Sequence, residues 1–185
     1  MAGTEETRLV VLRGNSASGK SSVAGSLRDR LGRGLALVGQ DNLRLIVLSE
    51  RDRPGAANIG LINLTARYAL DAGYHVVVEG TLYADRYGDM LTQLRADHRG
   101  PIHAYYLHVP FEQTLARHAT NPIANAVGEP QLRDWHRPID CRRPCRPGAD
   151  RAAAPGRSPR SGRAAGSATW TVSPSDGGAA DRRGG

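Results

Sequence analysis

A single lysine stands in a chain of 185 residues whose 25 Lys and Arg side chains are otherwise all arginine. That residue, Lys20, lies in Gly14-Asn15-Ser16-Ala17-Ser18-Gly19-Lys20-Ser21-Ser22, which has the spacing G-x-x-x-x-G-K-S. The chemistry open to such a run is to hold a chain of phosphates. Glycines at Gly14 and Gly19 allow backbone angles and close approaches that a side chain would block, so the loop's amide N–H groups can wrap an anion. A helix opening at about Gly19 adds its positive end. Lys20 is then placed to reach the β- and γ-phosphates, and the Ser21 hydroxyl to take a position on Mg²⁺. A compact ammonium on a flexible stem suits that task better than the planar guanidinium used everywhere else in the chain.

The elements around this run are the ones the motif requires. Leu9, Val10, Val11 and Leu12, with Arg13 at the end, form an apolar run suited to a buried parallel strand, and Ser21 to Leu31 has Val23, Leu27 and Leu31 at helical spacing before Gly32 and Gly34 stop it. Leu35 to Gly39 is a second short strand, ending in Gln40-Asp41-Asn42-Leu43-Arg44, with Leu43 to Leu48 a short helix or turn and residues 50–57 a loop. A helix is predicted over Asn58 to Ala72, a third strand over His75 to Val78 that delivers Glu79, a helix over Asp85 to His98 and a fourth strand over Ile102 to Val109. Such βαβα alternation implies a parallel sheet with helices on both faces, and ligands then bind at the carboxyl ends of the strands, where Asp41 and Glu79 fall. A further helix opens at Pro110 and Phe111 with Leu115 inward. Residues 119–138 are expected to form a mobile lid, with too few apolar residues for a core.

Composition separates a domain over residues 1–140 from a tail over 141–185. The tail has no Leu, Ile, Phe, Tyr or Met and is mostly Arg, Gly, Ala, Pro and Ser, so it is expected to be disordered. Its nine Arg and three Asp carry +6 of the net charge of +7, which leaves residues 1–140 nearly neutral and argues against nucleic acid as the domain's partner. Both cysteines, Cys141 and Cys145, lie there, with neither a second Cys pair nor a nearby His pair to make a zinc site. No stretch is long or apolar enough to span a membrane, and the polar start, Met1 to Thr7, has no signal-peptide core. The expected location is cytoplasmic.

Over residues 8 to about 138 the chain resembles a family of small P-loop kinases whose relatives include chloramphenicol phosphotransferase, the zeta toxins, polynucleotide kinase and adenylylsulfate kinase. The resemblance rests on GNSASGKSS, VGQDNLR, HVVVEG and the RHA…RDW segment, in that order, a combination also found in actinobacterial proteins described as kinases. It implies a P-loop NTPase sandwich of α/β class with the phosphate-loop strand central, and ATP with Mg²⁺ as cofactors. The implied activity is transfer of the γ-phosphate to a hydroxyl of a small molecule. It also implies that Asp41 accepts the proton of that hydroxyl and that Arg44 steadies Asp41 or the substrate; for Asp41 the alternative is a helix cap. Glu79 takes the place of a carboxylate that holds Mg²⁺ through water or meets the substrate, or simply ends a strand. Arg117, Arg133 and Arg137 would bring positive charge to the γ-phosphate from the lid, and Tyr83, Tyr87, Asn63 and Arg67 would line the acceptor pocket. Relatives continue with a fifth strand and a final helix, which the tail lacks; its composition is that of GC-rich DNA read in another frame after about residue 139. A nucleotide-binding remnant without turnover and a 5′-hydroxyl nucleic-acid kinase are the competing readings.

Overall fold

The computed structural model describes residues 1–118, 128–137, 139 and 151–152. Strands β1 (Leu9–Gly14), β2 (Leu35–Gly39), β3 (His75–Gly80) and β4 (Ile102–Leu107) are joined by helices α1 (Lys20–Leu31), α2 (Ala57–Asp71) and α3 (Ala84–Asp97). Every pairing is parallel, in the order β2-β3-β1-β4, so β1 is interior and its loop leaves the middle of the sheet. The register sets Glu79 beside Leu12 on one side and Gly39 on the other. All three strands that bear the expected site residues therefore end at one edge, as the crossover rule requires.

Side-chain alternation along β3 shows how the core is divided. Val76 and Val78 pack with Leu9, Val11, Val38, Ile62, Leu70 and Leu94 against α2 and α3, whereas Val77 packs with Leu12, Leu35 and Leu107 against Ala24 of α1. All three valines are fully buried, the mark of an interior strand covered on both faces, and each contributes roughly 1.5–3 kcal/mol relative to exposure. Val23, Leu27 and Leu31 line the sheet-facing side of α1, as their spacing predicts.

At the β4 edge a two-residue strand, β5 (Arg151–Ala152), pairs parallel with Tyr106 and Leu107. Among the described residues the sheet thus has four strands of five or six residues and this short fifth one. The rest of the tail, with Cys141 and Cys145, and the first part of the expected lid, residues 119–127, lie outside the described residues. Among the described residues no helix is long and apolar enough to cross a membrane.

One local expectation is made specific and two are corrected. The stretch after Asp41 is a π-helical turn, Asn42–Val47, closed by the Leu48 amide donating to the Leu43 carbonyl at 3.1 Å. It exposes Leu45, Ile46 and Val47, because only Leu43 of this turn reaches the core. In α4 (Phe111–His118) the buried positions are Thr114 and His118, with Leu115 half-buried, since α4 lies at the edge of the sheet and turns a polar face inward. The second half of the expected lid has an apolar anchor. In α5 (Glu129–Trp135) Leu132 is buried, and the next residue, His136, meets the Phe111 ring edge-on at 5.3 Å.

Candidate active site

The loop between β1 and α1 has the backbone its glycines allow. Gly14 has φ +147°, and a Cβ there would lie 2.6 Å from the Leu107 carbonyl oxygen and 2.9 Å from Ser18 Oγ, so no side chain fits. Gly19 caps α1 at φ +95°, and Ala17 between them is held at φ +56°, a conformation that an alanine adopts only when its surroundings require it.

Lys20 is buried at the mouth of α1, and its ammonium donates to the Asn15 carbonyl at 2.8 Å and to Ser18 Oγ at 3.4 Å. Burial pulls its pKa down to about 8, against the raising influence of the Glu79 and Asp41 carboxylates. A cation kept inside a loop of neutral amides is poorly solvated, and an anion brought there would relieve it. Next to it, Ser21 Oγ donates to both carboxylate oxygens of Glu79 at 3.3 Å. The Glu79 pKa is raised by burial, with the Lys20 charge and the Ser21 hydrogen bond opposing. A hydroxyl and a carboxylate are hard oxygen donors and fit Mg²⁺, which keeps several waters and takes few protein ligands. Among the described residues no cluster of three or more His, Cys, Asp or Glu is placed to hold a metal ion.

Asp41 follows β2 at the same edge, with its side chain 73% exposed and paired to Arg44 Nη2 at 2.7 Å. It makes no side-chain capping bond, so its carboxylate is free of the helix-cap role and turned to solvent. Its charge is among those felt at Lys20 and Glu79, which puts the three ionisable groups in one field.

The expected arginines separate. Arg117 reaches the loop, its Nη1 donating to the Ser18 carbonyl at 3.3 Å. Arg137 is brought over it by backbone: Asn15 Nδ2 donates to the Arg137 carbonyl at 2.8 Å and Asn15 Oδ1 accepts from the Arg137 amide at 3.1 Å. The Arg137 guanidinium stacks on Tyr83 at 4.1 Å and pairs with Asp85 at 3.1 Å. Arg133 is directed instead at Glu129, at 2.8 Å, and lies over the Phe111 ring at 4.6 Å. Tyr83 donates its hydroxyl to the Trp135 carbonyl at 2.8 Å, which makes it a support for residues 135–137.

The remaining residues expected at the acceptor pocket are engaged with other partners. Tyr87 is fully buried in a polar network. Asn63 and Arg67 are bonded to each other, and Arg67 pairs with Asp97 at 2.6 Å near the far end of α3, because α2 and α3 both run back to the amino edge of the sheet. Residues that the sequence pattern did not single out are Gln40, Glu50, Asp52 and Asn58. Glu50 accepts from the Ala57 and Asn58 amides at 3.0 Å and so caps α2, and the Asn58 amide bond is the main reason its pKa is lowered. Its place in an apparent loop gave no sign of this, although a carboxylate a few residues ahead of a helix start is a usable signal.

Comparison with known proteins agrees with this geometry. No curated protein sequence matches the chain. In fold it is similar to the Mycobacterium tuberculosis APS kinase CysC in complex with AMPPNP and APS, with 20% identity, 84% of this chain and 92% of that one covered and a TM-score of 0.61. It is likewise similar to a gluconokinase from Sinorhizobium meliloti, with 18% identity, 81% and 83% covered and a TM-score of 0.52. A family model described as AAA domain matches residues 9–137, from the first residue of β1 to the residue held by Asn15. The fold is thus one shared with these two kinase structures, and the chain belongs to the AAA domain family.

Proposed function

We propose that the chain is a phosphotransferase that moves the γ-phosphate of ATP to a hydroxyl of a small molecule. The observation that carries this reading is the Asp41 carboxylate, exposed and turned away from any capping role, at the strand edge that also holds the buried Lys20 ammonium. A bare phosphate-binding module has no need of it.

Each residue has a task in such a transfer. The loop amides and Lys20 hold the phosphates and balance their charge, and Arg117 adds charge at the mouth of the loop. Ser21 and Glu79 would hold Mg²⁺, which supplies neutralisation of the phosphate oxygens when bound. Asp41 orients the acceptor hydroxyl and takes its proton while Arg44 fixes the carboxylate. The AMPPNP complex of the similarly folded APS kinase supports a nucleotide in the loop. The near-neutral charge of residues 1–140 favours a small acceptor over nucleic acid.

The test is transfer of label from γ-labelled ATP to a panel of hydroxyl compounds. Labelled product supports the reading. Release of phosphate alone would make the chain an ATPase, and binding without either would make it a nucleotide-binding module.

A further inference from the structure

Three polar partners converge on one buried phenol. The Tyr87 hydroxyl, on α3, lies 2.8 Å from Gln40 Nε2, 2.7 Å from Asp52 Oδ1 and 2.8 Å from Asn58 Oδ1. Tyr87, Gln40 and Asn58 are all buried. One phenol accepts from the Gln40 amide and has a single proton to give, shared between two acceptors. Burial and the Asp52 bond raise its pKa, so it stays a donor through the neutral range.

The positions of these partners matter more than their number. Gln40 is the residue before Asp41, and Asp52 closes the stretch that follows the π-helical turn. Segment 41–51 therefore leaves from one partner of the Tyr87 oxygen and returns at another. Both ends have a second tie. Gln40 Oε1 accepts from the Leu82 amide at 3.1 Å, and Arg86 Nη1 bonds the Asp52 carbonyl at 2.8 Å and its carboxylate at 3.0 Å. Within the segment Leu45, Ile46 and Val47 are exposed, and only the half-buried Leu43 packs against the core.

We propose that Tyr87 is a positioning residue: its hydroxyl staples both ends of segment 41–51 to α3 and so sets where the Asp41 carboxylate stands at the phosphate loop. The proposal rests on the reading of Asp41 as the proton acceptor.

Hydrogen exchange on the full chain tests it without an acceptor in hand. Tyr87→Phe keeps the ring and removes the hydroxyl. The Leu48 and Glu50 amides, bonded to the Leu43 and Arg44 carbonyls, should exchange about tenfold faster, with β1 and β3 unchanged. Asp52→Ala should behave the same way, whereas Asp52→Asn, which keeps an acceptor oxygen, should behave like wild type. Unchanged exchange at Leu48 and Glu50, or acceleration spread equally over β1 and β3, overturns the staple. In the transfer assay Tyr87→Phe should lower kcat about tenfold and leave the KM for ATP unchanged. Localised exchange with an unaltered kcat would leave the staple standing and overturn the role of Asp41 instead.

Discussion

At the scale of single residues, Lys20 couples stability to pH. Its pKa is about 8 in the folded chain against 10.5 for the free side chain. The unfolded chain therefore binds more protons between these values, and stability rises with pH through that window. Below pH 8 the penalty for the buried charge is fully present, and it is relieved by about 3 kcal/mol as the pH reaches about 10.5. Lys20→Met should be more stable than wild type near neutrality, with the gap closing as pH rises from 8 to 10 in thermal melts. A gap that does not vary with pH would sink this account. The same variant should lose ATP binding in calorimetry while keeping its fold, since Lys20 bonds only within the loop among its described partners. Asp41→Asn separates binding from turnover. It should hold ATP affinity within a few fold and lower transfer by roughly 10² to 10⁴, the worth of a positioned general base. A matching loss of affinity would assign Asp41 to nucleotide binding.

Among elements, the close approach of β2 and β3 at their carboxyl ends fixes how Gln40 leaves the sheet. A Cβ on Gly80 would lie 2.5 Å from Gln40 Cβ and 2.5 Å from its Oε1, so Gly80→Ala must displace the Gln40 side chain from Tyr87 and the Leu82 amide. The expected loss is about 1–3 kcal/mol in denaturant unfolding, from overpacking and broken buried hydrogen bonds. A neutral substitution would show that Gln40 has room to move. Residues 135–137 are held differently, by Asn15 from the phosphate loop and by Tyr83 and Asp85 from the start of α3. Their position over the loop is therefore tied to the loop itself.

For the whole molecule, the question is what residues 140–185 contribute. They carry most of the net charge, and their one described contact is the two-residue strand beside Tyr106 and Leu107. Ending the chain after Ile139 should change the melting temperature by no more than about 2 °C, because so short an edge strand adds few hydrogen bonds and no apolar core. ATP affinity should stay the same. A large drop would mean that β5 closes the sheet in earnest.

The phosphate loop was legible in the sequence because everything that makes it is contiguous. A β-branched run, two glycines at fixed spacing and a helix start dictate the local backbone, and the carboxylates Asp41 and Glu79 could be placed because strands of one parallel sheet end at one edge. The amphipathic spacing of α1 likewise predicted that Val23, Leu27 and Leu31 face the sheet. What joins distant segments was not legible. Tyr87 was expected at the pocket and lies inside a network of Gln40, Asp52 and Asn58, while Arg67 was expected there and pairs with Asp97 at the opposite edge. Arg133 and Arg137 look alike along the chain, yet one bonds Glu129 and the other lies over Tyr83 beside the loop. A polar side chain's partner depends on which elements the strand order brings together and on the direction each helix runs. No local pattern encodes that, so only the tertiary structure decided it.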